Sequence, residues 1–355
     1  MATAAAVHVA LPRGLRPTSI AAADFNGDGK NDVAICGENQ QLVILAGDGR
    51  GGLRNIPQST RCGTQPSAMI AQDVNGDRKI DIVVANHETD YLTVLQNDCA
   101  ARFTSREVHV HSKPHPHMVA AADVNGDGHV DLITDSWAEN RLTLLLADGR
   151  GGWRSPGTPI EIGRKPYWNV IAADLDGDGR IDLVMPNSGY DTVCILFGDG
   201  HGHFAHAAQS PIKAGPTPFT VAVADVNGDG RPDVVVANYS GQASDTARDG
   251  ITWIRNDGNR HFTAFPERIV NGRYTARVST GDMNGDHIAD AAFSNSAAAD
   301  VAIVYGSRGG LKPGPNISTM PNPHALALAD LDGDGRADLL VITEERDELL
   351  LLLSH

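Results

Sequence analysis

The chain has 355 residues, 41% of them hydrophobic and 5% aromatic, with a formal charge of −15. That is a globular composition; its acidity argues against a nucleic-acid partner, and no run of 18 apolar residues offers a membrane-spanning helix. The opening residues, Met1-Ala2-Thr3-Ala4-Ala5-Ala6, carry neither the basic nor the long apolar region of a secretory leader.

In chain order, the first feature with chemistry in it is the nine-residue loop Asp24–Asp32. It places oxygen side chains at positions 1, 3, 5 and 9, as Asp24, Asn26, Asp28 and Asp32. The same loop returns as Asp73, Asn75, Asp77 and Asp81, then as Asp123, Asn125, Asp127 and Asp131. It continues as Asp174, Asp176, Asp178 and Asp182, and as Asp225, Asn227, Asp229 and Asp233. The last two copies are Asp282, Asn284, Asp286 and Asp290, and Asp330, Asp332, Asp334 and Asp338. Successive copies start 48 to 57 residues apart. Alternating oxygens with glycine at position 4, and a backbone carbonyl available at position 7, form the front of a calcium-binding loop, because a hard cation needs a cage of oxygens. A single copy would read equally well as a solvated Asp-Asn-Gly turn; seven at one period make up to seven Ca2+ ions the expectation. The loops hold 23 aspartates, and seven divalent ions would bring the formal charge from −15 to near −1. At positions 78 and 287, Arg and His replace the second glycine of the loop, so binding there is expected at some backbone cost.

Around each loop the residues read as strands. A short apolar run leads in, as in Met118–Ala122; a β-branched run follows, as in Asp233–Asn238; a third run, as in Leu142–Leu146, ends at a Gly-rich turn such as Asp148–Trp153. Nowhere is there a helical period over ten or more residues. Four short strands in each ~50-residue unit predict propeller blades. The units start near residues 18, 67, 117, 167, 219, 276 and 324, and the last lacks a fourth strand, which residues 1–17 supply through Val7–Leu11. The fold class expected is therefore all-β: a seven-bladed β-propeller of four-stranded blades, spanning 1–355 as a single domain and closed by the N-terminal strand.

These repeats resemble the FG-GAP/VCBS family, best known for the seven-bladed propeller of integrin alpha subunits; the shared motif is Asp-x-Asn/Asp-Gly-Asp-Gly-x-x-Asp. The resemblance implies calcium loops on the lower face, between first and second strands, with ligands met on the upper face or between blades. All seven sites are alike, and four side chains plus a carbonyl leave little of the ion's shell open, so the metal is expected to be structural, neutralising carboxylates that otherwise repel and pinning the turn; the alternative is a catalytic or ligand-bridging ion. Weak calcium sites of this kind fill only outside the cytosol, so a secreted, periplasmic or cell-surface location is expected.

Function on a repeat scaffold belongs where the copies differ. The upper-face segments place His117, Trp137, Glu139, Tyr167, Trp168, Tyr190, Tyr239, Arg277 and His324 on one rim, together with His115. Such a rim suits a glycan or protein ligand; the alternative is that its aromatics fill gaps between blades. Arg277 points into the channel to meet an anion, or pairs with a nearby Glu. The polar stretch 240–250 is either a lid or a surface insertion. Cys36 and Cys62 fall in one repeat and are a candidate disulfide, while Cys194 sits in an apolar run. His109 and His111 share a strand face and offer at most an adventitious metal site. The leading expectation is a calcium-stabilised recognition propeller; the alternative is a polysaccharide-active, lyase-like enzyme with His117, Tyr167, Arg277 and His324 in acid/base and anion-stabilising roles.

Overall fold

A computed structural model describes residues 6–98, 100–110, 116–136, 140–162, 169–239, 250–269 and 275–354. Its strands form seven antiparallel sheets. Blade 1 consists of Pro17–Ala23, Asp32–Gly37, Leu42–Gly47 and Leu53–Ile56; blade 2 of Pro66–Gln72, Asp81–Asn86, Tyr91–Asn97 and Phe103–His109. Blades 3, 5 and 6 repeat this meander from Val119, Pro218 and Thr275. In blade 4 the outer position is shared by two short strands, Phe204–His206 and Ile212–Lys213, both paired with Thr192–Gly198. Blade 7 has Ala325–Ala329, Asp338–Thr343 and Arg346–Leu352, and its fourth strand is Val7–Ala10, in register with Glu348–Leu351. The first strands contact one another in sequence, and the innermost strand of blade 7 returns to that of blade 1. The protein is a seven-bladed β-propeller closed by its N-terminal strand.

The second strand of each described blade is buried along its length, as in Asp32–Gly37, Asp81–Asn86 and Asp338–Thr343. These runs are rich in Val, Ile, Leu and Ala because both faces of a blade are covered by neighbours. The hydrophobic clusters accordingly lie between blades. Val33, Ile35 and Leu45 of blade 1 pack with Leu340, Ile342 and Leu349 of blade 7. Met283, Val301 and Ile303 of blade 6 meet Leu339, Val341 and Leu350 of blade 7. The Cys36–Cys62 disulfide forms, with Cα atoms 6.1 Å apart, and ties the second strand of blade 1 to the segment leading into blade 2. Cys194 is a buried free thiol whose Sγ lies 3.5 Å from both His206 Nδ1 and Ser210 Oγ.

Candidate functional sites on the two faces

On the lower face each loop closes on its own first aspartate. Asp24 Oδ1 accepts the Gly27 and Asp28 N–H groups at 2.7 and 3.1 Å, and Oδ2 accepts that of Gly29 at 2.8 Å. Position 3 then accepts from position 5, and position 5 from position 7, at 2.9 and 3.0 Å. The same pattern recurs around Asp225 and Asp282. Where Arg78 and His287 replace glycine they hold φ of +67° and +65° and still donate to Asp73 and Asp282 at 2.7 Å. A side chain in that left-handed region costs roughly 1–2 kcal/mol relative to glycine.

Position 9 works differently. Asp32, Asp81, Asp131, Asp182, Asp233, Asp290 and Asp338 are all 0% exposed. One oxygen accepts an N–H at the end of the third strand, as from Gly47 and Gly198; the other takes the residue after position 1, as from Phe25 and Leu175. Burial, with help from the neighbouring loop carboxylates, raises the pKa of Asp81, Asp182 and Asp290 to about 6 and that of Asp233 to about 7, despite these hydrogen bonds. A divalent cation is the ordinary physical remedy for carboxylates held this close. Carboxylate oxygens of Asp174, Asp176 and Asp182, and of Asp330, Asp332 and Asp338, lie within 4.8 Å of one another, so both triads could hold a metal. These are the two copies with Asp at position 3. Where position 3 is Asn, its amide can donate to position 9 instead, as from Asn26 to Asp32 at 3.2 Å and Asn227 to Asp233 at 3.0 Å.

The loops are also bonded to one another across the seams. Ala289 N donates to Asp225 O at 3.1 Å, Ala337 N to Asp282 O at 2.7 Å, and Asn31 Nδ2 to Asp330 O at 2.8 Å. Each of these donors sits at position 8 of the next loop.

On the upper face the first strand is entered through a left-handed residue before proline: Arg16, Gln65, Thr217 and Asn322 have φ between +47° and +53°. The kink brings the carbonyls of Arg16, Gln65 and Thr217 to the N–H groups of Glu38, His87 and Tyr239, at 2.9–3.0 Å. Those three residues follow the second strand at one repeat position; Glu344 is its counterpart in blade 7. Side chains from blades 7, 1 and 2 then line a polar hollow of about 450 Å³: His324 and Glu344, Thr18 and Glu38, Ser67 and His87. His324 Nε2 lies 3.2 Å from Glu344 Oε1, and Arg16 pairs with Glu38 at 2.5 Å. Burial, and then the positive charge of Arg277, pushes the His324 imidazolium down to about 3, so the ring is neutral at physiological pH. Burial raises Glu344, with Glu38 adding to the effect, while burial lowers Arg277 to about 10, leaving it charged.

The rim residues therefore divide. His324 lines the hollow, with Arg277 electrostatically coupled to it and to Glu344. His117 is 7% exposed; Asp135 accepts its N–H at 2.7 Å and faces its Nδ1 at 3.0 Å, and its ring lies 4.6 Å from that of His87. Tyr239 packs on Phe219 at 4.8 Å, and Tyr190 is 45% exposed on a turn of blade 4. Trp137, Glu139, Tyr167 and Trp168, like His111, His115 and the stretch 240–249, lie outside the described residues. Glu38, His87 and Glu344 are the members of the hollow that residue types alone did not single out. Aligning the repeats shows them, since all three stand fourteen residues after the first aspartate of their loop.

Comparison with known proteins bears on both faces. Residues 73–134 and 174–236 match the FG-GAP-like repeat, and residues 16–35 and 322–345 match the FG-GAP repeat. The chain carries FG-GAP repeats. Beyond the repeats, this FG-GAP propeller is 26% identical over 185 residues to the T-cell immunomodulatory protein of Rattus norvegicus, a match covering 50% of this chain and 29% of that protein. Among solved structures, virginiamycin B lyase from Staphylococcus aureus superposes with a TM-score of 0.63 at 14% identity, covering 98% of this chain and 99% of the lyase. An Agrocybe aegerita lectin specific for non-reducing terminal N-acetylglucosamine superposes with a TM-score of 0.57 at 18% identity, covering 97% of this chain and 86% of the lectin. At such identities the two structures share the fold alone.

Proposed function

We propose that this FG-GAP propeller is a calcium-stabilised extracellular binding module that meets a glycan or protein ligand on its upper face. The observation that carries the proposal is the contrast within each repeat. All seven loops keep an oxygen-bearing side chain at positions 1, 3, 5 and 9, whereas the position lining the upper hollow runs Glu38, His87, Trp137, Ser188, Tyr239, Ser296 and Glu344. In this reading positions 1, 3, 5 and 9 of each loop hold Ca2+ together with the position 7 carbonyl, and the ion relieves the carboxylate crowding that burial makes costly. The Cys36–Cys62 disulfide supports an oxidising compartment, and the immunomodulatory relative points toward recognition. The test pairs a count of bound calcium with thermal unfolding in calcium and in chelator, followed by glycan- and protein-array binding of the wild type, H324A and E344Q. Several ions per chain, a large chelator-induced loss of stability and array binding lost in the variants are expected; no bound calcium, or array binding indifferent to both variants, sinks the proposal.

A second reading, lyase-like catalysis on a polysaccharide, is favoured by one observation. A neutral imidazole, His324, stands beside a carboxyl, Glu344, and the charge of Arg277 acts on both. His324 would accept a proton and Arg277 would stabilise the developing anion. Release of unsaturated products by the wild type and its loss in H324A would support this reading over simple binding.

A further inference from the structure

Two of the seven loops form a matched pair within one chain. The loops of blades 4 and 7, Asp174–Asp182 and Asp330–Asp338, carry the same residues at every position but the eighth, Ile181 against Ala337. Both bring three aspartates within 4.8 Å of one another. In both, the first aspartate accepts the N–H groups of two glycines, Gly177 and Gly179 or Gly333 and Gly335, at 2.6–3.0 Å. What differs is the neighbour.

At four seams the turn between the third and fourth strands leans on the loop of the preceding blade. Gly51 N donates to Leu331 O at 3.0 Å, Ala101 N to Phe25 O at 3.2 Å, and Gly202 N and Ser307 N to Val124 O and Val226 O, each at 3.1 Å. Loop 7 thus meets the glycine turn of blade 1, where Gly49 O stands 3.5 Å from the place a Cβ on Gly333 would take. Loop 4 meets blade 5, whose strands Gly250–Gly258 and His261–Ile269 are joined through Asn259 and Arg260. Asn256 Nδ2 reaches Leu175 O at 2.6 Å. Arg260 goes further into the loop: Nε donates to Asp176 at 2.5 Å and Nη2 to Asp178 at 3.1 Å, which are positions 3 and 5. Its guanidinium also lies 4.4 Å over the Phe197 ring of blade 4. Asn259 and Arg260 hold φ of +53° and +61°, a turn whose second residue is ordinarily glycine, so the arginine stands there at a backbone cost. Arg180, Arg231 and Arg336 each reach only position 5 of their own loop; Arg260 comes from another blade and engages position 3 as well.

We infer that Arg260 is a built-in competitor for calcium at loop 4, which makes the seam between blades 4 and 5 a calcium-responsive joint; the inference rests on the calcium reading above. A guanidinium and a divalent ion that share the same two carboxylates repel one another a few ångströms apart, and each lowers the affinity of the other by the same factor. At low calcium Arg260 neutralises positions 3 and 5 and ties blade 5 to blade 4. Calcium entering loop 4 displaces the guanidinium and releases that tie. Loop 7 has the same four aspartates but faces glycines, so it fills at lower calcium.

The test is hydrogen–deuterium exchange of the full chain, read by mass spectrometry on peptides covering 174–182 and 330–338 during a titration from chelator into calcium chloride. Wild type is compared with R260M, which removes the charge and keeps an unbranched stem against Phe197. In the wild type, loop 4 should become protected at about tenfold higher calcium than loop 7, the size of one charge-assisted hydrogen bond. R260M should bring the loop 4 midpoint down to that of loop 7 and leave loop 7 unmoved. In chelator the sign reverses: R260M should exchange faster than wild type at loop 4, a reversal that an arginine merely near the site would not give. Coincident wild-type midpoints, a loop 4 midpoint unmoved by R260M, or unchanged exchange in chelator overturns the inference. Calcium protection of loop 7 in the same experiment shows that such a failure belongs to Arg260 and not to the calcium reading; protection of neither loop overturns both.

Discussion

The two faces of the propeller follow opposite rules. On the lower face seven loops repeat one arrangement down to individual backbone hydrogen bonds, and the position 9 aspartates are uniformly buried. On the upper face the position fourteen residues after the first loop aspartate carries Glu, His, Trp, Ser or Tyr, and the hollow draws only on blades 7, 1 and 2. Uniformity marks what every blade needs in order to stand; divergence marks what one part of the ring does that the others do not.

The largest effect expected from breaking this contrast is on the uniform side. Asp233 accepts from Asn256 N, Asn227 Nδ2 and Trp253 Nε1. D233A leaves those buried donors without an acceptor and should cost about 4 kcal/mol in denaturant unfolding; a loss under about 1 kcal/mol would show that the clamp is dispensable. The next effect is on the divergent side and depends on pH. His324 is held below its ordinary range, so between about 6.5 and about 3 the unfolded chain binds a proton that the folded chain refuses. Folding stability attributable to His324 is thus whole above about 6.5 and falls as the pH drops, by at most about 1.4 kcal/mol per pH unit. Wild type and H324F, compared by unfolding at pH 7.5 and pH 5, should therefore converge or cross toward pH 5; a constant gap would mean the imidazole is not held neutral.

Two smaller changes sharpen the rule within the loops. Affinity in such sites rises with the number of ligand charges, so N26D should tighten calcium at blade 1, and D332N should weaken it at blade 7, each by about tenfold in a competitive chelator titration. Equal affinities would leave position 3 without a role in binding strength. Last, R78G and H287G remove a side chain from a left-handed backbone and should each raise stability by about 1 kcal/mol, read as a shifted denaturant midpoint with an unchanged slope.

The same contrast explains what residue types alone could reveal. All four oxygens of a loop fall within nine residues, and strand periodicity is local, so the blades, their number and the closure by Val7–Ala10 are all legible in the order of residues. The hollow is not, because Thr18 and His324 become neighbours only when the ring shuts. His117 shows the same difficulty from the other side. Beside a rim of aromatics it reads as a ligand contact, yet its nearest acid, Asp135, lies eighteen residues away and holds it in a buried pair. A second hollow, on the lower face between blades 5 and 6, likewise joins residues far apart in the chain, from Asn227 to Gly309.

Because each hydrophobic cluster is shared by two blades, no blade owns a core. Detaching one blade from a closed circle forfeits two interfaces at once, whereas an open array can fray from either end at the expense of one. The lower-face bonds that run from loop to loop, from Ala289 to Asp225, from Ala337 to Asp282 and from Asn31 to Asp330, brace the part of that circle from blade 5 through blade 7 to blade 1. The molecule should therefore resist slow proteolysis far better than its short, separate sheets would suggest, and give way all together when it does.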